Sequence, residues 1–463
     1  MKSDAMVKPR FLSRHFHWLD RPGMSASLAR GAGVVLVIQS AGSALGYLVH
    51  LFFARWMGPT EYGTYTFALT WATLSATLVG LGMPTGALRF IPEYEAKGEW
   101  GRLRGFVRAG RGLTLLLSVL GCGLGAAAVY WLGPTMGLRQ PIPLIAGLCL
   151  VPLLALVALQ SGMLRAIRQM TAAFAPSAIV QRVIMIAAVA AVFYLAHHRR
   201  SSLILIAATM LALGVVAVLQ HSLWNCRRPP AAGRAAPVYE PRQWWSVCWP
   251  VLLATACQLV LNQTDILMIG AVLGPRPVGV YNAACKTADL VSFFFGAVTA
   301  VAAPMVATLH AQGKRAELQR LASSVAHYAF WPALGIALVL ILFGTPVLKL
   351  FGPKYVVAQP VMTVLVLTQL LNVATGCVAP LMNLTGHQHQ NLRVIGVVAA
   401  VNVVLNLIGI HWLGIMGVAL ATAISIALRN IWLNVLIKRN LGIHSSIIAV
   451  PWFKPAPRDE KTP

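Results

Sequence analysis

The stretch QLVLNQTDILMIG, residues 258–270, carries Gln258, Asn262 and Asp265 at i, i+4 and i+7. On a 3.6-residue period those spacings share one face, while Leu and Ile cover the rest. The next apolar run repeats the pattern with Asn282, Lys286 and Asp289. A charged side chain in hydrocarbon is costly, so each must face a wet cavity or a partner. Two uses are open to this cluster: ion coupling or headgroup contact in a lumen, or a structural ion-pair lock between two helices. Lys286 can reach Asp289 one turn away, and it also sits near the depth of Asp265, each roughly 10 Å inside its helix.

Arg182 and Arg429 lie in apolar runs with no acidic residue nearby in sequence. Guanidinium groups in a cavity attract phosphate or carboxylate through directed hydrogen bonds, and they can equally bond helix carbonyls or snorkel to headgroups. Both arginines are candidates for an anionic substrate. Asn402 and Asn406, at i and i+4, can line the same space or hold two helices together. Arg89, Arg102, Arg104, Arg108 and Arg111 crowd one polar interruption, where they serve topology or gather an anionic lipid or pyrophosphate group. The pairs His197 with His198 and His387 with His389 lack a third ligand, so no metal site is expected. Walker glycine loops, nucleophile elbows and HExxH are absent from the sequence, and the reading is a chain without catalytic residues or cofactor.

What must position these groups is a membrane. The 463 residues are 58% hydrophobic and 11% charged, with a mean hydropathy of +0.71. So few charges cannot cover a soluble globule. Long continuous apolar runs favour helices over a barrel, because unpaired backbone groups in lipid are expensive. Twelve spans are expected: 28–54, 62–87, 107–131, 142–164, 173–196, 202–221, 246–270, 280–308, 323–345, 357–383, 392–410 and 413–437.

A net charge of +25 is a feature of many nucleic-acid binders, but here the 37 Lys and Arg collect in the tails and alternate loops. That is a topology signal, and it places both termini in the cytoplasm, with Arg55, Arg139, Arg199, Arg200, Arg276, Lys349 and Lys354 outside. The seven cysteines are scattered and read as small apolar residues. The expected organisation is a basic cytoplasmic leader at 1–27, a six-helix bundle at 28–221, a cytoplasmic linker at 222–245, a second bundle at 246–437 and a cytoplasmic tail at 438–463. The leader, with Phe16 and Trp18, can lie partly along the interface.

The halves repeat. GPTEYGTY at 58–65 aligns with GPRPVGVY at 274–281, so that Pro59, Gly63 and Tyr65 fall on Pro275, Gly279 and Tyr281. After a one-residue shift KGEWGRL at 97–103 matches QGKRAEL at 312–318, and LGPT at 132–135 corresponds to FGPK at 351–354. Six crossings per copy preserve orientation, so the two bundles should be related by a pseudo-two-fold axis along the membrane normal, with a central cavity between them.

The segments FFARWMGPTEYGTYTFAL at 52–69, GLG at 80–82 with RFIPEYEAKGEWGRLR at 89–104, and TDILMIGAVLGPRPVGVYNAA at 264–284 carry a resemblance. Over about residues 28–440 the chain resembles the multidrug, oligosaccharidyl-lipid and polysaccharide exporter superfamily, most closely its polysaccharide-biosynthesis flippase branch. The resemblance implies an all-α V-shaped transporter of two bundles that alternates between inward-open and outward-open states in the cell inner membrane. It implies a polyprenyl diphosphate-linked oligosaccharide as substrate, as in lipopolysaccharide or exopolysaccharide assembly. Membrane lipids, a polysaccharide polymerase and glycosyltransferases are the partners such a role brings; a monomer is the working state. Asp265 and Gly270 match the branch's D-x-x-x-x-G unit, where the acid's role can be architectural. The alternatives are an ion-coupled drug exporter of the same superfamily, a peptidoglycan-precursor flippase and a non-transporting scaffold for glycan synthesis.

Overall fold

The computed structural model describes residues 24–133, 141–195, 200–443 and 445–447. Residues 1–23 of the expected leader, Pro134 and Thr135 of the LGPT match, Arg139, the pair His197 and His198, Arg199 and the last residues of the tail lie outside that set.

Every element is helical. In chain order they are α1 (Met24–Val79), α2 (Met83–Lys97), α3 (Trp100–Leu132), α4 (Pro141–Leu148), α5 (Val151–Ala166), α6 (Met170–Ala175), α7 (Gln181–Leu195), α8 (Ser202–Arg227) and α9 (Pro230–Arg234). The second half supplies α10 (Pro241–Val272), α11 (Pro275–Ala288), α12 (Phe293–Ala311), α13 (Arg315–Leu342), α14 (Gly344–Phe351), α15 (Gln359–Ala374), α16 (Val378–Leu384), α17 (Gln388–Leu413) and α18 (Ile415–Leu441). A π-helical turn over Pro176–Val180 joins α6 to α7, and 3-10 turns cover Asp289–Ser292 and Pro353–Ala358.

Among the described residues eleven helical stretches are long and apolar enough to cross a bilayer. The first runs Gly33–Lys97, 65 residues. At 1.5 Å per residue that is about 98 Å, three times a hydrocarbon core, so it cannot be one crossing. Gly58 breaks it, with φ 79° and ψ 172°. Pro59 follows, fixing the first φ of the new helix and lacking only an N–H that would be unpaired there anyway. Gly274 adopts the same conformation, φ 88° and ψ −175°, before Pro275. The duplicated Gly-Pro is therefore one backbone device used twice, and twelve crossings follow.

The two copies also touch each other. A Cβ on Gly63 would fall 1.8 Å from the Pro275 carbonyl oxygen, and one on Gly279 would fall 2.1 Å from that of Pro59. Each glycine thus accepts the other half's first helical turn, as a two-fold relation demands. Lipid tails are as apolar as Leu, so helices in a bilayer associate through such backbone proximity rather than through apolar burial alone. Tyr65 and Tyr281 complete the correspondence: both are buried, Tyr65 bonding Thr209 of α8 at 3.0 Å and Tyr281 bonding Asp265 of α10 at 2.6 Å.

Two ends can be distinguished. The turn end carries Gly58 and Gly274; the basic end carries the arginines around 102–111 and the connection between the halves. At the turn end one apolar core runs through both lobes, joining Phe53, Tyr62 and Tyr65 to Val278, Tyr281, Phe351 and Tyr355. At the basic end the core is divided: one cluster holds Phe90, Phe106 and Trp224, and another holds Leu318, Leu381, Val394 and Leu433. The first of these also takes Trp244 and Cys248 from α10, and Trp244 Nε1 donates to Tyr94 Oη at 2.9 Å. The result is two lobes joined at the turn end along α1, α10, α11, α14 and the 353–358 turn, with further contacts of α1 to α12 and of α2 to α10, and with separate cores at the basic end.

The connection between lobes is shorter than the polar sequence suggests. α8 runs on to Arg227 and α10 starts at Pro241, leaving 228–240. It is strapped down: Val238 N donates to Gly101 O at 2.9 Å, Arg104 to Ala235 O at 2.7 Å, and Arg102 bridges Glu99 and Glu240 at 2.7 and 2.9 Å. The cysteines are free, as their scatter suggests, but folding brings Cys122 and Cys149 to 4.0 Å.

Candidate functional site

Asp265 is a carboxylate in a membrane helix, and it is 7% exposed. Its oxygens accept from Tyr281 Oη at 2.6 Å, Thr422 Oγ1 at 2.6 Å and Asn406 Nδ2 at 2.9 Å. Asn406 also donates to Asn402 Oδ1 at 3.0 Å, and Asn402 donates to Ser425 Oγ at 3.2 Å. Four helices, α10, α11, α17 and α18, thus converge on one acid inside the C-terminal lobe. Short bonds to a carboxylate are charge-assisted and roughly twice as strong as neutral ones, which lets an ion persist away from water. The Asn406 Oδ1 atom is buried with no partner among the described residues. Among those residues no group of three or more His, Cys, Asp or Glu gathers. One carboxylate with amide and hydroxyl oxygens suits a proton or a hard monovalent cation, and lacks the soft or imidazole donors that transition metals select.

Lys286 turns to Asp289, at 3.5 Å, rather than to Asp265. The pair is accessible, with side chains 36% and 51% exposed. Lys286 lies about 16 Å from the start of α11 at helical rise, where bare acyl chains would be prohibitive, so the surface it faces must be hydrated. Gln369 of α15 donates to Asp289 at 3.2 Å. One turn on, Asn372 Oδ1 accepts from Arg429 Nη2 at 3.2 Å and from Asn430 Nδ2 at 2.9 Å. Through Gln369 and Asn372, α15 links the α11 ion pair and the α18 arginine into one polar stripe.

The N-terminal lobe answers with His50 and Arg182. His50 Nδ1 lies 2.9 Å from Tyr62 Oη, which also accepts from Asn282 Nδ2 of the other lobe at 2.6 Å. Lys286 and Arg182 are both close enough for their charges to act on the His50 ring. Arg182 is held by its own helix, donating to Ser177 O at 3.0 Å and Ala178 O at 2.7 Å. Those carbonyls belong to the π-helical turn, whose i to i+5 pattern disturbs the ordinary ladder. Its Nε is also 3.0 Å from where a Cβ on Gly46 would stand, so glycine leaves room for the guanidinium beside α1.

Of the residues singled out from sequence, Lys286, Asp289, Arg182 and Arg429 are partly exposed, Arg182 beside α1 and Arg429 against α15, while Asp265, Asn402 and Asn406 form a buried cluster. Gln258 and Asn262 bond one another at 3.3 Å on the exposed face of α10, and Asn282 is buried between lobes. His387 contacts Thr385 at 3.2 Å in its turn, and no third ligand joins it among the described residues. His50, Tyr62, Gln369 and Asn372 were not singled out, and Tyr281 only as a repeat position. Gln369 and Asn372 carried a usable signal, a polar i, i+3 pair in an apolar run, whereas Tyr62 and Tyr281 resemble ordinary core aromatics until their hydroxyl partners are known.

With this geometry in view, comparison with known proteins is informative. The family model described as Polysaccharide biosynthesis protein matches residues 28–310, more than half of the chain, and the MatE model matches 250–408. Over 88% of this chain and 98% of the other, the fold is similar to an inward-facing multidrug resistance MATE family transporter of the MOP superfamily, with TM-score 0.72 and 16% identity. It is similar to the lipid II flippase MurJ in an inward closed conformation over 88% of this chain and 87% of that one, with TM-score 0.71 and 13% identity. Uncharacterized membrane protein MJ1068 of Methanocaldococcus jannaschii is 26% identical over 174 residues, 37% of this chain and 34% of its own length. The match thus spans about a third of that relative. Two lobes of membrane helices, the duplicated Gly-Pro junction and the length of the family match agree: the chain belongs to the polysaccharide biosynthesis protein family, and its fold is shared with the solved MATE and MurJ structures.

Proposed function

We propose that the protein moves lipid-linked oligosaccharide or polysaccharide repeat units across the cytoplasmic membrane by alternating access. The observation that carries this reading is the sign of the charge within the membrane helices. Arg182, Lys286 and Arg429, set against Asp289 and the buried Asp265, leave an excess of positive charge there, and in the proposed function the three cations border the space between the lobes. Cations so placed suit a diphosphate or acidic sugar, since guanidinium groups offer paired donors to phosphate oxygens. The headgroup enters between the parted lobes from the basic end while the carrier's hydrocarbon stays in lipid. The positive-inside rule makes that end cytoplasmic, with both termini there.

Rearrangement then opens the turn end, and the Asp265 cluster is the proposed coupling site. Binding a proton or monovalent cation at this carboxylate alters the bonds that tie α10, α11, α17 and α18 together. A ligand drives such a change only by the difference in its affinity for the two states.

The test is translocation of a polyprenyl diphosphate-linked oligosaccharide in proteoliposomes, with lipid extraction and mass analysis of carrier-linked glycans in cells depleted of the protein. Accumulation of unexported carrier, relieved by the intact protein, is the expected result. The second reading, ion-coupled drug export, draws on the MatE match over 250–408. It predicts normal carrier levels together with drug sensitivity in cells carrying Asp265→Asn, and that outcome would replace the glycan reading.

A further inference from the structure

A second cationic site lies away from the lobe junction, at the basic end of the N-terminal lobe. There α3, α8 and α9 enclose a cavity of about 150 Å³ lined by Arg104, Arg108, Arg111, Trp224 and Arg228 above an apolar floor. A liquid water occupies about 30 Å³, so a phosphate group fits. Arg104, Arg108 and Arg111 follow i, i+4, i+7 spacing, which turns all three toward one side of α3.

The cavity has donors without acceptors. Trp224 is 1% exposed, and its indole N–H has no hydrogen-bond partner among the described residues. Nε and Nη2 of Arg111 are also buried and unpartnered. A buried donor left without an acceptor costs the full desolvation of that group, so such donors mark a place where an acceptor belongs. No carboxylate lines the cavity. The acids nearest in sequence, Glu99 and Glu240, are both engaged by Arg102. Several guanidinium groups around one small space repel each other until an anion joins them.

Depth suggests which anion. Immediately beyond Arg111, α3 exposes Leu113, Leu115 and Leu116, and the turn of α8 before Trp224 exposes Val218 and Leu219. These side chains face hydrocarbon, so the arginines begin where the acyl region ends, and Trp224 sits at the level tryptophan favours. We infer that this cavity binds the phosphate of an anionic lipid headgroup from the leaflet at the basic end. It is separate from the transport reading, because every lining residue belongs to α3, α8, α9 or, for Arg228, the link between α8 and α9. The lipid holds α3 and α8 to the start of the interlobe strap, fixing the N-terminal lobe in the leaflet while its partner lobe moves.

Native mass spectrometry of the full-length protein in non-ionic detergent tests this, with titration of phosphatidylglycerol, phosphatidylcholine and inorganic pyrophosphate. Phosphatidylglycerol should give a first bound molecule that phosphatidylcholine does not match. Arg111→Gln and Arg228→Gln should each weaken it about tenfold, the scale of one charge-assisted hydrogen bond. Arg320→Gln, an equal charge loss on an exposed site of α13, should leave it unchanged. Trp224→Phe keeps an aromatic ring and the charge of the cavity while removing the indole N–H, so it tests the donor independently of the arginines, and it should bind more weakly than the parent. Equal binding by all four variants and the parent overturns the site. Pyrophosphate that binds with the same arginine dependence while phosphatidylglycerol does not would assign the cavity to a soluble anion and overturn the lipid assignment.

Discussion

Alanine at Gly63 is the most direct probe of how the lobes are held. Its Cβ would stand 1.8 Å from the Pro275 carbonyl oxygen, and the mirrored change at Gly279 would stand 2.1 Å from that of Pro59. A carbon and a carbonyl oxygen settle at about 3.3 Å, so roughly 1.5 Å of extra separation is needed at the first site and about 1.2 Å at the second. The obstructing atoms are backbone in first helical turns and cannot rotate aside. Overpacking of this kind costs about 1–3 kcal/mol. Under the proposed alternating access the contact is made only while the turn end is shut, so the cost falls on that state and shifts the equilibrium about 5- to 150-fold toward opening. Spin labels at Thr60 and Arg276, both exposed beside the junction, report the change as a longer distance population in pulsed dipolar spectroscopy. Gly335→Ala is the control: nothing lies within 4 Å of its Cβ, and helix propensity there favours alanine by up to about 1 kcal/mol. Unchanged label distances in folded Gly63→Ala and Gly279→Ala proteins would refute the claim that this crossing holds the turn end closed.

Three further outcomes are expected. Asp265→Asn removes the charge that Tyr281, Thr422 and Asn406 surround, so transport in proteoliposomes should lose its dependence on an imposed proton or sodium gradient; retained dependence places coupling elsewhere. In a double-mutant cycle on thermal stability, Lys286→Gln and Asp289→Asn should couple by no more than about 1 kcal/mol, as an exposed pair does, whereas Lys286→Gln and Asp265→Asn should be additive; strong coupling of the second pair would contradict the bonding described. Mild oxidation should join Cys122 to Cys149 within one chain, read by mass analysis of peptides, and a failure to cross-link would argue against the packing of α3 on the 149–150 turn.

Much of the architecture was legible because the bilayer leaves few choices. Apolar run length gives the crossings, and the repeated Gly-Pro gives the internal symmetry. Even the apparent exception, a helix of 56 residues, is explained by Gly58, whose positive φ kinks the chain between two successive crossings. What the spacing did not give was the partner of each buried charge. One helical face fixes the direction of Asp265 relative to Asn262, but its bonds come from α17 and α18, more than 130 positions away. For Arg182 helix carbonyls were one of the options the sequence left open, and what could not be read was that they belong to a π-helical turn, since backbone irregularity has no residue signature comparable to a Gly-Pro pair.

The division of labour between the two halves follows from those partners. The repeats match at the junction, yet the residue aligned with Asp265 in the first half is Val49, which is buried. Tyr65 and Tyr281 are equivalent, but Tyr65 meets the neutral Thr209 while Tyr281 meets a carboxylate. The first half therefore keeps the hydroxyl pairing without an ion, and the second adds the acid with two asparagines to hold it. A buried carboxylate costs several kcal/mol of desolvation that a threonine does not, and an architectural role alone is already met by the neutral version. The asymmetry argues that the acid in the C-terminal lobe is retained for a change of charge state or ion occupancy. Exchange tests this: Asp265→Val, which copies the first half, should leave a folded, lipid-embedded protein whose transport no longer responds to an ion gradient. If that variant instead unfolds while Asp265→Asn does not, the network's hydrogen bonding is architectural and the ion has no part in it.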